Sequence, residues 1–219
     1  MWLFYTKTIF TFFWSKNYGI VSVMHRHELS KKHIITIGGL PGSGKSTVKR
    51  LLADKLGYKT FSTGDFVRQM AHERNFTLEE FNELIARDTS IDKLIDEQLE
   101  RIEVEEDDYI IDSHLAFHFV PSGFSVYLLI TPERSAERIF NDAHSPTRKK
   151  SGETMETLDE ALVKTQKRVK NHVERYMRLY DINPYDETKY TLTINTDGKV
   201  PEEVAEHILS AYEDWLRTS

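Results

Sequence analysis

One stretch limits what this chain can fold into more than any other. Gly39-Leu40-Pro41-Gly42-Ser43-Gly44-Lys45-Ser46-Thr47 lies between the apolar run HIITIG and the helix-like segment STVKRLLADKLG. Its glycines let backbone amides curl around an oxyanion without Cβ clashes. A helix starting near Lys45 aims its positive end and its unpaired N–H groups at the same point. Glycine, four residues, then Gly-Lys-Ser is the spacing of a phosphate-binding loop. In that loop the lysine reaches the outer phosphates and the serine hydroxyl ligates Mg²⁺. It needs a strand before it and a helix after it, and the flanking residues supply both.

The rest of the chain continues that alternation. YKTFST, YIID, FSVYLLI and YTLTIN read as strands. DFVRQMAHERN, TSIDKLIDEQLERIE, PERSAERIFNDA, LDEALVKTQKRVKNHVERYMRLYDI and PEEVAEHILSAYEDWL read as helices. Gly57 is placed to close the first helix, and Thr77 with Glu80 has capping-box spacing. In the long helix Leu158, Leu162, Val169, Val173, Tyr176, Met177 and Tyr180 mark an apolar stripe, with Lys164, Arg168 and Arg175 nearly opposite. DAHSPTRKKSGETMET reads as a loop. Such alternation predicts an α/β fold: a mostly parallel sheet of about five strands with helices on both faces. Its ligands bind at the carboxyl ends of the strands. The glycine-rich loop, Thr63 to Asp65, Asp112 and Thr131 all fall at such ends.

Composition narrows the class. The 219 residues allow one domain with inserts, and 39% hydrophobic content supports a core. The net charge is −6 and no basic block dominates, so no nucleic-acid partner is expected. There is no cysteine, which excludes thiol nucleophiles and thiolate metal sites and fits a cytoplasmic protein. The aromatic N-terminal stretch from Trp2 to Trp14 is shorter than the about 20 residues a spanning helix needs, so no stable membrane insertion is expected. Three readings stand for it: an interfacial anchor, a docked extra segment, or residues upstream of a true start at Met24.

Two further motifs carry chemistry. Tyr109-Ile110-Ile111-Asp112 is an apolar strand ending in a carboxylate, a position suited to Mg²⁺ beside a phosphate loop. Phe61-Ser62-Thr63-Gly64-Asp65-Phe66-Val67-Arg68 resembles the segment by which adenylate-kinase-like nucleoside monophosphate kinases hold their acceptor. TLEEFNELIARDTSIDKLIDEQLE, TPERSAERI, RYMRLYDINPYD, YTLTIN and PEEVAEHIL narrow the match. In order they resemble the compact cytidylate kinases of archaea and some bacteria, over about residues 33–212.

That resemblance implies a phosphate-loop NTPase fold and transfer of the γ-phosphoryl group of ATP to CMP or dCMP, with Mg²⁺ held by Ser46 and Asp112. It implies acceptor contacts from Thr63, Asp65 and Arg68. Asp88, Asp92 and Asp96 would lie in the insert closing over the acceptor, or simply on a solvated helix face. An arginine usually follows the strand-end carboxylate in the family; here the chain reads Asp112-Ser113-His114-Leu115, and His114 stands in its place. Two readings of His114 stay open. It is a packed histidine without substrate contact, or it is charged by bound phosphate and holds the acceptor, with affinity weakening above about pH 7. Arg138, Arg148 and Arg168 are the cations expected to act with Lys45 on the transferring group. No general base is required, because the attacking phosphate oxygen is already anionic.

The expected organisation is an N-terminal extension over 1–32 and a kinase domain over 33–219, acting as a monomer. The acceptor insert falls at about 65–106 and a lid at about 141–158. Two other readings remain open: an acceptor other than CMP (AMP, UMP or a non-nucleotide), and an NTPase that works as a switch or assembly factor.

Overall fold

The computed structural model describes residues 13–15, 18–21, 31–143 and 156–218. The chain divides into two compact units, Met1–Ser30 and Lys31–Ser219. In the first, strands β1 (Phe13–Ser15) and β2 (Tyr18–Val21) pair antiparallel, with Phe13 opposite Val21 and Ser15 opposite Tyr18. Met24 and the loop residues His144, Arg148, Lys149 and Lys150 lie outside the described residues.

The second unit runs β3 (Ile34–Gly39), α1 (Lys45–Leu56), β4 (Lys59–Ser62), α2 (Thr63–Glu73), α3 (Leu78–Arg87), α4 (Ser90–Glu105), β5 (Tyr109–Asp112), α5 (Ala116–Phe119), β6 (Phe124–Leu129), α6 (Pro132–Ala143), α7 (Leu158–Tyr180), β7 (Leu192–Asn195) and α8 (Pro201–Arg217). A 3₁₀ turn at Glu187–Lys189 precedes β7. The five strands β3 to β7 form a parallel sheet ordered β4-β5-β3-β6-β7. The expected α/β architecture is therefore present, and its strands are the ones the apolar runs marked.

The period of two along β3 explains the layers. Ile35 and Ile37 face a core built with Val48 and Leu52 of α1 and Val204, Ile208 and Tyr212 of α8. Ile34 faces the other way, into a core with Phe81, Ile91, Ile95, Leu99 and Ile102 from α3 and α4. Each wholly buried isoleucine or leucine contributes ~1.5–3 kcal/mol, enough together to hold the central strand while the loop after it adopts strained backbone.

Helix ends follow local chemistry. Gly57, at φ 71°, ends α1 and returns its N–H to Ala53 O. Thr77 and Glu80 form the expected capping box at α3. The second helix starts at Thr63, two residues before the expected Asp65, because the Ser62 hydroxyl accepts from Asp65 N–H and caps it.

The long helix α7 departs from its expected stripe. Leu158 and Met177 are 46% and 41% exposed, whereas Ala161, Thr165 and Tyr176 are buried. Positions 161, 165, 168, 172, 175 and 176 share one face of a 3.6-residue helix. Arg175 therefore lies on the packed side and not opposite it, and Arg168, itself exposed, shares that face, while Lys164 pairs with Glu160 at 2.7 Å on the outside. Among the described residues no helix is long and apolar enough to cross a membrane.

Candidate active site

The loop between β3 and α1 sits at the carboxyl edge of the sheet. Gly44 caps α1 in the left-handed region, φ 97° and ψ 7°, and a Cβ there would meet no protein atom within 4 Å. Gly42, at φ 74°, is closely packed instead: a Cβ would lie 2.7 Å from Ser135 O. Helix α1 has no side-chain cap and no acid in its first turn. Its amides are thus free to bind an outside anion.

Lys45 folds back over this loop, donating to Gly39 O at 2.9 Å and Leu40 O at 2.7 Å. Burial lowers its pKa to about 8; the nearby Asp112 opposes the shift and Arg168 adds to it. Leu40, Pro41 and Ser43 complete the curl, with Ser43 N–H donating to Leu40 O at 3.2 Å and the Ser43 hydroxyl buried without a partner. Ser135 of α6 donates its hydroxyl to Pro41 O at 2.5 Å, tying the loop to that helix. Thr47 follows in the first turn of α1.

The strand register brings the metal candidates together. Asp112 lies beside Ile37 on one neighbour and Ser62 on the other. The Ser46 hydroxyl donates to Asp112 Oδ2 at 3.1 Å. Two hard oxygen donors converging beside free helix amides suit a small divalent cation that arrives with phosphates. The residues present therefore fit Mg²⁺.

The expected acceptor residues cluster at the start of α2. Asp65 accepts from Arg68 Nη2 at 2.6 Å and from Lys49 Nζ at 3.4 Å. Burial pushes the Asp65 carboxyl up, but Arg68 and Lys49 outweigh it and hold the group below its usual range. The Thr63 hydroxyl is buried and unpartnered. The Lys49 residue is 92% buried, its exposure being 8%. The sequence reading missed it, although it stands one turn after Lys45 on the same face of α1.

His114 is enclosed by rings: His172 at 4.7 Å, Tyr185 at 5.4 Å and Tyr176 at 6.5 Å between centroids. Its Nδ1 is buried without a partner. Burial, then His172, Lys45, Arg168 and Arg175, push its pKa well below the usual 6.5. A charged His114 near pH 7 is therefore not what this arrangement supports; the residue is a neutral ring among cations.

Of the expected phosphoryl-binding arginines, Arg168 approaches Lys45 and His114 closely enough to depress both pKa values. Arg138 is engaged elsewhere, donating to Thr196 O at 2.7 Å and Thr196 Oγ1 at 3.3 Å just beyond β7. Arg148 lies outside the described residues. Arg175, expected nearly opposite the apolar stripe, packs against Asp92 at 3.5 Å with 16% of its side chain exposed and donates to the Tyr176 hydroxyl at 2.8 Å. Its Nε and Asp92 Oδ2 have no partner. The signal was present in the spacing of Arg168 and Arg175, two turns apart on one face of α7.

A parallel sheet with a phosphate loop at its carboxyl edge, a serine–aspartate pair and converging cations defines a phosphate-loop nucleotide-binding protein of the kinase type. The family description "AAA domain" matches residues 35–159. The chain is 36% identical over 178 residues to the cytidylate kinase of Sulfolobus acidocaldarius, covering 80% of this chain and 91% of that one. It is 36% identical over 180 residues to the cytidylate kinase of Halobacterium salinarum, covering 81% and 88%. It belongs to the cytidylate kinase family. The fold is also similar to that of shikimate kinase from Bacteroides thetaiotaomicron, with TM-score 0.55 and 17% identity over 82% of this chain and 98% of that one.

Proposed function

We propose that the protein transfers the γ-phosphoryl group of ATP to CMP or dCMP, giving ADP and CDP or dCDP. The observation that carries this reading is the Ser46–Asp112 contact at the open N-terminus of α1, with Lys45 alongside. The α1 amides and Lys45 bind the donor phosphates, with Lys45 leaving its carbonyl partners as they arrive. The acceptor binds over α2, its phosphate at Arg68 and Lys49. Asp65 holds those two cations in place, and Thr63 offers its unpartnered hydroxyl. Mg²⁺, held by Ser46 and Asp112, would neutralise charge on the phosphate oxygens.

An acceptor phosphate oxygen forms a bond to γ-phosphorus as the bond to the β–γ bridging oxygen breaks. No proton need move first. Arg168 and Lys45 stabilise charge on the transferred group, Arg148 closes with the lid over about 141–158, and Arg138 joins them only by leaving Thr196. The acceptor insert spans about 65–106. Exclusion of water by these two segments keeps ATP from hydrolysis. The proposed enzyme acts in the cytoplasm, where its nucleotide substrates are found, and as a monomer.

The test is ATP turnover with a panel of monophosphates. CMP or dCMP should raise turnover far above the rate with ATP alone. AMP exceeding CMP by about tenfold in kcat/KM, a difference of ~1.4 kcal/mol, would reassign the acceptor. Turnover indifferent to every monophosphate would instead favour the switch reading.

A further inference from the structure

The joint between α7 and the sheet contains a pair of side chains that the reaction itself does not require. His172 of α7 and His114, in the loop after β5, pack with ring centroids 4.7 Å apart. His172 Nδ1 lies 2.8 Å from the Tyr185 hydroxyl, which fixes the ring about its own axis. Tyr176, the next turn of α7, packs on the same group, 5.9 Å from His172.

We infer that His172 is a positioning residue: its ring, held by Tyr185 and packed on His114, docks α7 so that Arg168 stands beside Lys45. The inference rests on the proposed role of Arg168 in stabilising the transferred phosphoryl group. Three features of the structure carry it.

First, the buried residues of α7 are Ala161 and Thr165 near its start and Tyr176 near its end, with Arg168 between them. His172, one turn beyond Arg168, is the side chain in that interval with ring contact to the loop after β5. Without it the part of the helix nearest Arg168 loses its own ring contact with that loop, leaving the one from Tyr176 a turn further on. Second, a positioning group here has to fill space without adding charge. Lys45, Arg168 and Arg175 already surround it, and another cation would repel all three. Burial and those neighbours keep His172 neutral, so the ring separates Arg168 from Arg175 as a spacer. Third, Tyr185 belongs to the segment after α7, so the hydrogen bond ties the helix to the stretch of chain that leads into β7.

The test is a double-mutant cycle in steady-state kinetics of the full chain with ATP and CMP. Arg168→Ala should lower kcat. His172→Ala should lower kcat by about tenfold with KM for CMP within about twofold. His172→Phe, which restores the ring, should recover most of that loss, and Tyr185→Phe should fall between. In the Arg168→Ala background, His172→Ala should change kcat by less than about twofold. An unchanged kcat in His172→Ala, or a loss that adds in full to that of Arg168→Ala, overturns the inference alone. An Arg168→Ala enzyme as active as the parent overturns the assigned role of Arg168 and the inference with it. If His172→Ala does not fold by circular dichroism, Tyr185→Phe carries the same cycle: a kcat loss that disappears in the Arg168→Ala background supports the inference, and an additive or absent loss overturns it.

Discussion

The carboxylate of Asp92, on α4, meets the guanidinium of Arg175, on α7, at 3.5 Å, with 4% and 16% of their side chains exposed. This pair joins α4 to the helix that carries Arg168. Asp92 and Asp96 are therefore not on a solvated face: Asp92 has a cation beside it, and Asp96 accepts from the Tyr180 hydroxyl at 2.7 Å. Asp88 behaves differently, capping Ser90 N–H at 2.9 Å from the exposed end of α3.

Removing Arg175 leaves a buried carboxylate without its counter-charge. Breaking such a pair from one side costs ~3–5 kcal/mol. Burial already pushes the Asp92 carboxyl up, with Arg175 and Arg178 opposing, so the loss of Arg175 raises it further. Arg175→Met should therefore be destabilising at pH 7.5 and less so near pH 5, because lower pH favours the protonated, neutral form of Asp92. Urea denaturation of variant and parent at both pH values measures this. Equal deficits at the two values would mean that the Asp92 charge is not what the arginine compensates.

The Lys45 ammonium hydrogen-bonds to carbonyls of its own loop, at Gly39 and Leu40. Replacing it should spare the fold and remove its charge from the donor phosphates. Lys45→Ala is expected to lose about 10²–10³-fold in kcat, with a thermal midpoint close to that of the parent. Mg·ATP should stabilise the parent and not the variant, by calorimetry or thermal shift. Retention of Mg·ATP by Lys45→Ala at parental affinity would remove the donor site from this loop.

The elements were legible where local chemistry decides them. Gly57 could be read as a helix end, and Thr77 with Glu80 as a helix start, because each acts within one turn. The apolar run HIITIG could be read as a strand because both faces of β3 are buried. What could not be read depended on contacts far apart in sequence. His114 meets His172 only after the sheet, α6 and α7 have assembled. The resemblance marked His114 as an arginine position, but its enclosure by three other rings, which makes it neutral, is tertiary. Arg175 was hidden for a related reason. A basic residue on an amphipathic helix reads as solvated unless its carboxylate partner, here on α4, is already known to lie opposite.

Asp96 gives the fold a pH dependence of definite sign. Burial raises its pKa to about 6; the Tyr180 hydrogen bond opposes this, and Asp92 and Glu100 add to it. The folded-state value thus exceeds the unfolded one, and the native state binds the proton more tightly. Its contribution is fully present below the ordinary aspartate value of 3.8 and is lost as pH rises through about 6. Asp96→Asn keeps an acceptor for Tyr180 and removes the titration. The variant should match the parent near pH 4 and exceed it in urea midpoint at pH 7.5. A parent–variant difference that stays constant between those two pH values would show that Asp96 does not carry the dependence.

Two glycines of the phosphate loop should fail for different reasons when changed to alanine. Both hold positive φ, 74° at Gly42 and 97° at Gly44, which costs a side-chain-bearing residue ~1–3 kcal/mol. At Gly42 the new methyl also lies 2.7 Å from the Ser135 carbonyl and 3.0 Å from Ile139 Cγ1. Gly42→Ala should therefore separate the loop from α6, disturb the Ser135–Pro41 bond and lower the thermal midpoint more than Gly44→Ala does. At Gly44 the methyl meets no protein atom; it occupies the space before the α1 amides, where a phosphate would sit. Gly44→Ala should consequently melt only a little below the parent but lose the stabilisation by Mg·ATP that the parent shows. A Gly44→Ala protein that keeps the full shift with Mg·ATP would mean that the phosphates bind elsewhere than at this helix end.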